Sequence, residues 1–255
     1  MVVIIKTTEE LKNMRAGGKI HARILRMVAE RVVPGISTGE LDAYAEQLCV
    51  EFGCKPAFKN YQPVGQSYPF PATLCTSVND EIVHGIPSFD YVLEDGDIIT
   101  IDLGIQYNGV FLDGAVTVPV GKISPEVQEF LDITKQSMMQ GIRAAVVGNT
   151  TGDIGYAIQS FVDKRYGIVK GLAGHGVGRH IHEDPFVPNY GKKGQGTKLV
   201  PGMTIAIEPM LTMGNPATDI LDDDWTFVTA DGSLACHFEH TIIITENGPE
   251  IVTVE

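Results

Sequence analysis

Ile98-Ile99-Thr100-Ile101-Asp102-Leu103 and Val110-Phe111-Leu112-Asp113-Gly114-Ala115 stand on either side of Asn108-Gly109. An Asn-Gly pair between two apolar runs is a strong signal for a two-residue hairpin turn, because both residues tolerate positive φ. With that turn, residues whose numbers sum to 217 face one another, so Asp102 meets Ala115 and Gly104 meets Asp113. Strand side chains alternate between faces, which puts Asp102, Gly104, Asp113 and Ala115 on one face. The two carboxylates are then diagonal neighbours, roughly 7–8 Å apart at the backbone and within reach of a common ion. On the hairpin alone an opposite reading competes. In it the Asp pair is solvated, and Ile101, Leu103 and Leu112 form the buried face.

Three more acid or imidazole groups sit in segments that are apolar or rich in glycine. They are His175 in Gly174-His175-Gly176-Val177-Gly178, Glu208 at the end of Gly202-Met203-Thr204-Ile205-Ala206-Ile207, and Glu239 within Cys236-His237-Phe238-Glu239-His240-Thr241-Ile242. A buried charge must be paired or bound to metal, and the bases nearest in sequence, Arg179 and Lys198, are few. Four carboxylates and one imidazole therefore point to a pair of divalent cations and a two-metal hydrolase. His182 lies seven residues after His175, on the opposite face if that segment is extended.

The chain has 255 residues, enough for a substantial core. Its net charge of −13, from 32 acids against 19 bases, argues against nucleic-acid binding through phosphates. The start Met1-Val2-Val3-Ile4-Ile5-Lys6 is too short for the core of a signal peptide. No apolar run approaches the roughly 20 residues that span a bilayer. These features predict a cytoplasmic protein without membrane contact. Cys49, Cys54, Cys75 and Cys236 have no zinc-finger spacing and read as reduced, mostly buried thiols.

Thr7-Thr8-Glu9-Glu10 is a capping-box start that predicts a helix to about Val32. Ser37-Thr38-Gly39-Glu40 opens a second helix, with Leu41, Tyr44, Ala45, Leu48, Cys49 and Phe52 at helical spacing. Ser124-Pro125 opens a third and Thr150-Thr151-Gly152-Asp153 a fourth. Gly35-Ile36-Ser37-Thr38-Gly39-Glu40-Leu41 aligns with Gly148-Asn149-Thr150-Thr151-Gly152-Asp153-Ile154 at an offset of 113. This predicts an internal duplication, with halves of about 1–120 and 121–255 in one catalytic domain. The fold class expected is α+β, with helices packed on a curved, mainly antiparallel sheet and a cleft between the halves.

Together these residues resemble methionine aminopeptidase, type I, of the metal-dependent pita-bread (creatinase/aminopeptidase-like) peptidases. The resemblance rests on Ser77-Val78-Asn79-Asp80-Glu81-Ile82-Val83-His84-Gly85-Ile86-Pro87, Ile101-Asp102-Leu103, Gly174 to Gly178, Ile207-Glu208-Pro209-Met210 and Phe238-Glu239-His240-Thr241. It implies that Asp102, Asp113, His175, Glu208 and Glu239 hold two divalent cations, with Asp113 and Glu239 bridging. Mn, Fe(II) or Co suits that donor set, with Zn also possible. It implies a shared hydroxide as nucleophile, Glu208 as proton acceptor, and His84 and His182 as substrate-contacting histidines. The substrate implied is a nascent chain or peptide with N-terminal methionine and a small second residue. Cys75, Phe70, Trp225 and Ile181 fall where the methionine pocket lies, although plain core packing also accounts for apolar residues there. Segment Phe58 to Pro71 is longer than the family's usual pattern. Only 33 positions separate His175 from Glu208, too few for the insert of type II enzymes.

A prolidase or aminopeptidase P would need a large N-terminal domain, for which the chain has no room. A binding protein on the same scaffold would have lost ligands, and all five are present. Lys192, Lys193 and Lys198 form a small basic loop that could meet the ribosome. With no heptad pattern, a monomer is expected.

Overall fold

The computed structural model describes residues 3–162 and 164–255, so Met1 and Val2 of the short apolar start lie outside the described residues. Helix α1 spans Thr8–Ala29, and its cap is the expected box: Thr7 accepts from the Glu10 N–H while the Glu10 carboxylate accepts from the Thr7 N–H. It stops three residues short of Val32. The N–H groups of Arg31 and Val32 turn to the carbonyls of Val28 and Ala29, tightening the last turn ahead of Pro34. Helix α2 (Thr38–Glu51) carries the same box on Ser37 and Glu40. Helix α3 (Pro125–Ala144) is capped by Ser124, with proline in its first turn. Helix α4 (Thr151–Val162) starts where the Thr150 N–H and hydroxyl both donate to Asp153.

The hairpin forms in the expected register. Strand Ile98–Tyr107 pairs with Val110–Pro119, with Asp102 opposite Ala115 and Gly104 opposite Asp113. Asn108 and Gly109 take φ of 46° and 83°, as the turn requires. Strand Leu74–Val78 lies along the other edge, with Cys75 opposite Asp102. A second sheet of five strands runs in the order Gly248–Ile251, His240–Thr245, Thr204–Ile207, Gly174–Gly176, Glu183–Val187. Every strand pairing among the described residues is antiparallel.

Two apolar cores follow from this layout. Met14 and Ile24 of α1 and Leu41 and Leu48 of α2 pack on Ile101 and Leu103 of the hairpin. Phe130 of α3 and Ile154 and Ile158 of α4 pack on Ile205, Ile207 and Ile242 of the second sheet. Both helix pairs thus cover the outer faces, and the edges between the sheets remain for the site.

The segments aligned at offset 113 make matching contacts. Gly35 and Gly148 have φ of 94° and 93°. Their N–H groups donate to Leu93 and Leu199, and those residues donate back to Ile36 and Asn149. The N–H groups of Thr38 and Thr151 reach Tyr91 and Thr197, each at 3.0 Å. A Cβ on Gly39 would lie 2.7 Å from the Phe89 nitrogen, and one on Gly152 2.5 Å from the Lys192 carbonyl oxygen. Glycine at both positions lets each helix start press against neighbouring backbone.

Candidate metal centre and substrate cavity

Five chain segments deliver the five expected donors to one place. Asp102 and Asp113 come from the hairpin and His175 from the Gly174–Gly176 strand. Glu208 follows Thr204–Ile207, and Glu239 precedes His240–Thr245. Their atoms form overlapping groups within 4.8 Å: Asp102, Asp113 and Glu239; His175, Glu208 and Glu239; and Asp113, His175 and His182. The solvated reading of the Asp pair does not hold, because Asp102 is 8% and Asp113 3% exposed. Both faces of the hairpin are buried, one by apolar core and the other by acids.

The environment of these acids fits divalent cations. Glu239 is 3% exposed, and its Oε1, like Oδ1 of Asp102, has no hydrogen-bond partner among the described residues. The groups that face Asp113 and Glu208 are imidazoles: His175 Nε2 is 3.9 Å from Asp113 and 3.4 Å from Glu208, and His237 Nε2 is 3.4 Å from Glu208. Desolvation, ahead of the charge of Glu208, pushes Asp102 up to about 7. Burial and then neighbouring carboxylates drive Asp113 and Glu239 well above the usual range. Cations among these oxygens would relieve both penalties.

Supporting contacts hold the donors in place. His175 Nδ1 lies 2.9 Å from the Gly176 carbonyl, an arrangement that leaves the Nε2 lone pair for the centre. The Asp113 N–H donates to Thr241 Oγ1 at 3.0 Å, and that hydroxyl donates back to the Asp113 carbonyl at 2.8 Å. Asn189 holds the Glu208 carbonyl at 3.0 Å.

Beside the donors opens a cavity of about 260 Å³, lined on one side by Phe58, Phe70, Cys75 and Trp225. Ile181 belongs to the same buried cluster. Phe70 and Trp225 meet edge to face, with centroids 5.2 Å apart. His84, at φ 61°, also lines the cavity and contacts the Trp225 ring at 6.1 Å. Desolvation holds His84 near 4 and His182 near 3, so both are neutral at physiological pH.

His182 departs from the sequence reading. It does not lie on the face opposite His175; the two rings are 4.5 Å apart. The segment between them is not extended. Gly178 takes φ 145°, its N–H donates to the His180 carbonyl at 3.0 Å, and the chain reverses. The Glu183 carboxylate then gathers the Arg179 and His180 N–H groups.

The long Phe58–Pro71 segment is bolted across the cavity mouth. Ser67 donates to Asp224 at 2.8 Å, and Tyr68 to the Asp223 carbonyl. Tyr61 and Pro63 thereby reach the cavity, and the Tyr61 hydroxyl lies 2.9 Å from His182 Nδ1. The sequence reading singled out neither Tyr61, Phe58 nor His237 for the site. His237 carried a usable signal, since Cys236 to Ile244 reads as one strand, in which residues two apart share a face. Tyr61 carried none, because its partner is 121 residues away.

The fold and site define a metal-dependent peptidase, and residues 12–246 match metallopeptidase family M24. The chain belongs to that family and has its pita-bread fold. It is 45% identical to a methionine aminopeptidase of Clostridium acetobutylicum over 99% of both chains. The crystal structure of methionine aminopeptidase from Thermotoga maritima superposes with a TM-score of 0.95 at 40% identity, covering 100% of both chains. The prolidase from Pyrococcus horikoshii shares the fold, with a TM-score of 0.76, but the chain covers only 64% of it. The expectation of a methionyl aminopeptidase is thus borne out over prolidase. No described helix is long and apolar enough to cross a membrane.

Proposed function

We propose that this enzyme removes N-terminal methionine from nascent chains and peptides with a small second residue, using two divalent cations. One observation carries the reading: four buried carboxylates and an imidazole, without a lysine or arginine ion pair among the described residues, adjoin a cavity walled by aromatic rings and a thiol. Asp102, Asp113, His175, Glu208 and Glu239 would hold the cations. Asp113, His175 and Glu239 each belong to two of the three donor groups, so the groups share ligands. Bound there, the cations would supply Lewis acidity at the scissile carbonyl and lower the pKa of an attacking water.

The chain's own groups do the rest. Glu208 accepts the proton of the attacking water and passes it to the leaving amine. His182 donates a hydrogen bond to the carbonyl oxygen, where charge develops. His84 holds the scissile amide nitrogen. The methionine side chain enters among Phe58, Phe70, Cys75 and Trp225, where a thioether meets polarisable and aromatic surface. Ile181 backs that wall. We assign residues 1–255 to one catalytic domain of two related halves, acting as a cytoplasmic monomer. The matching contacts at offset 113 support the two halves.

The test is methionine release from a Met-Ala-Ser peptide by chelated protein, before and after adding Mn, Co or Fe(II), alongside Glu208→Gln. Release that needs metal and is lost in Glu208→Gln supports the reading. Release indifferent to chelation, or none from folded protein with any of these metals, defeats it.

A further inference from the structure

His237 is a buried imidazole whose place in the site the donor set leaves unexplained. It is 1% exposed, and neither ring nitrogen has a hydrogen-bond partner among the described residues. Leaving a buried polar group unpaired costs on the order of 1–3 kcal/mol, so such a ring calls for a partner. The ring is not misplaced by a loose backbone. The His237 N–H donates to Thr117 Oγ1 at 3.1 Å, and that hydroxyl donates to the His237 carbonyl at 2.6 Å. Thr117 is itself hydrogen-bonded to Thr100 at 2.8 Å, so the Ala235–His237 strand is fastened to the hairpin that carries Asp102 and Asp113.

Glu208 offers the partner. Its two oxygens face two different imidazoles at equal distance: Oε1 is 3.4 Å from His175 Nε2, and Oε2 is 3.4 Å from His237 Nε2. The two rings differ in kind. His175 belongs to donor groups that could grip an ion, whereas His237 belongs to none of them. His237 therefore stands behind Glu208.

We propose that His237 is a positioning residue for Glu208. Its Nε2–H donates to Oε2, which fixes the carboxylate rotation and leaves Oε1 aimed at the centre. The 3.4 Å separation is within hydrogen-bond range, and the bond needs the carboxylate turned toward the ring. The proposal rests on Glu208 being a metal ligand, not on what peptide the enzyme cleaves. Outer partners that orient a ligand typically contribute about 10–100-fold in metal affinity or activity.

The experiment is calorimetric titration of the chelated full chain with Mn²⁺, for wild type, His237→Phe and His237→Gln. Kinetics on the Met-Ala-Ser peptide and urea midpoints of the metal-free proteins accompany it. Phenylalanine fills the space without a donor, and glutamine keeps an N–H. His237→Phe should raise the Mn²⁺ dissociation constant about 10–100-fold and lower kcat more than it changes KM. His237→Gln should return both to within a few-fold of wild type. Wild-type Mn²⁺ affinity in a folded His237→Phe overturns the proposal. So does a His237→Gln as weak as His237→Phe, or a wild type that binds no Mn²⁺. The expected affinity series in a protein that releases no methionine would uphold the role of His237 while defeating the function proposed above.

Discussion

Lys6→Met tests how the loop carrying His182 is held. The Lys6 ammonium and the Glu183 carboxylate meet directly, with each side chain 1% exposed. Lys6 also donates to the Ile4 carbonyl at 3.2 Å, and its N–H reaches Gly202 at 3.0 Å. Glu183 takes the N–H groups of Arg179 and His180 on its other oxygen. The pair thus ties the N-terminal segment to the reversal that turns His182 toward His175. Burial lowers the Lys6 pKa, with the hydrogen bond and charge of Glu183 opposing it. The ion pair therefore compensates desolvation without exceeding it, and the loss on mutation comes from stranding the remaining charge.

Removing one partner of a buried pair costs about 3–5 kcal/mol. Against a total stability on the order of 5–15 kcal/mol, that is a large share. At a urea slope of about 2–3 kcal/mol/M, the midpoint of Lys6→Met should fall by roughly 1–2 M with the slope unchanged. Glu183→Gln strands Lys6 instead and should lose a similar amount. The double variant strands no charge, and the glutamine oxygen still accepts the two N–H groups. It should be more stable than either single variant, which requires a coupling larger than a single loss, above about 3 kcal/mol. A Lys6→Met unfolding free energy within about 1 kcal/mol of wild type, or strictly additive single losses, refutes the reasoning.

Two further outcomes follow from the centre. Asp102 is pushed up to about 7, and Asp113 and Glu239 are raised further above their unfolded values. A raised folded pKa means that these groups contribute stability below the unfolded value, near 4, and lose it as pH rises through the folded one. Metal-free protein should therefore melt at lower temperature at pH 8 than at pH 5.5, and Mn²⁺ binding at pH 6.5 should release protons. Calorimetry in buffers of different ionisation enthalpy reads that release, and none would count against buried protonated acids. Tyr61→Phe removes the hydroxyl 2.9 Å from His182 Nδ1. Losing about 0.5–1.5 kcal/mol of orientation predicts kcat roughly 2–12-fold lower with Mn²⁺ affinity unchanged, and an unaltered kcat would show that the bond does not orient the ring.

What the sequence disclosed was local or electrostatic. Asn108-Gly109 admits one turn, and one turn admits one register, so Asp102 and Asp113 were placed on a common face before any packing was known. The capping boxes at Thr7 and Ser37 are read from four residues each. Glu208 and Glu239 betray themselves because charge in an apolar strand needs a reason. His182 entered the site only through the resemblance; its place beside His175 was not legible in the segment, since it depends on a reversal at Gly178 held by Glu183, whose partner Lys6 is 177 residues away. Phe70, Cys75 and Trp225 came only through resemblance to a family. Tyr61 and Phe58 were hidden because nothing within their own segment marks a residue that becomes a wall only when the segment docks on Asp223 and Asp224.

The centre also depends on a seam between the sheets. Ala115 and Glu239 exchange N–H···O bonds of 3.4 and 3.0 Å, and the Thr241–Asp113 pair continues the seam. Those contacts join the hairpin to the second sheet and bring Asp113 and Glu239 within ligand distance. Asp102 and Asp113 precede residue 120, whereas His175, Glu208 and Glu239 follow it. Neither segment alone has the donors for the site, and the small Ala115 lets the two approach. The backbone bonds that join the sheets thus also assemble buried carboxyls whose ionised forms cations would stabilise, so metal occupancy and cohesion of the seam should rise and fall together.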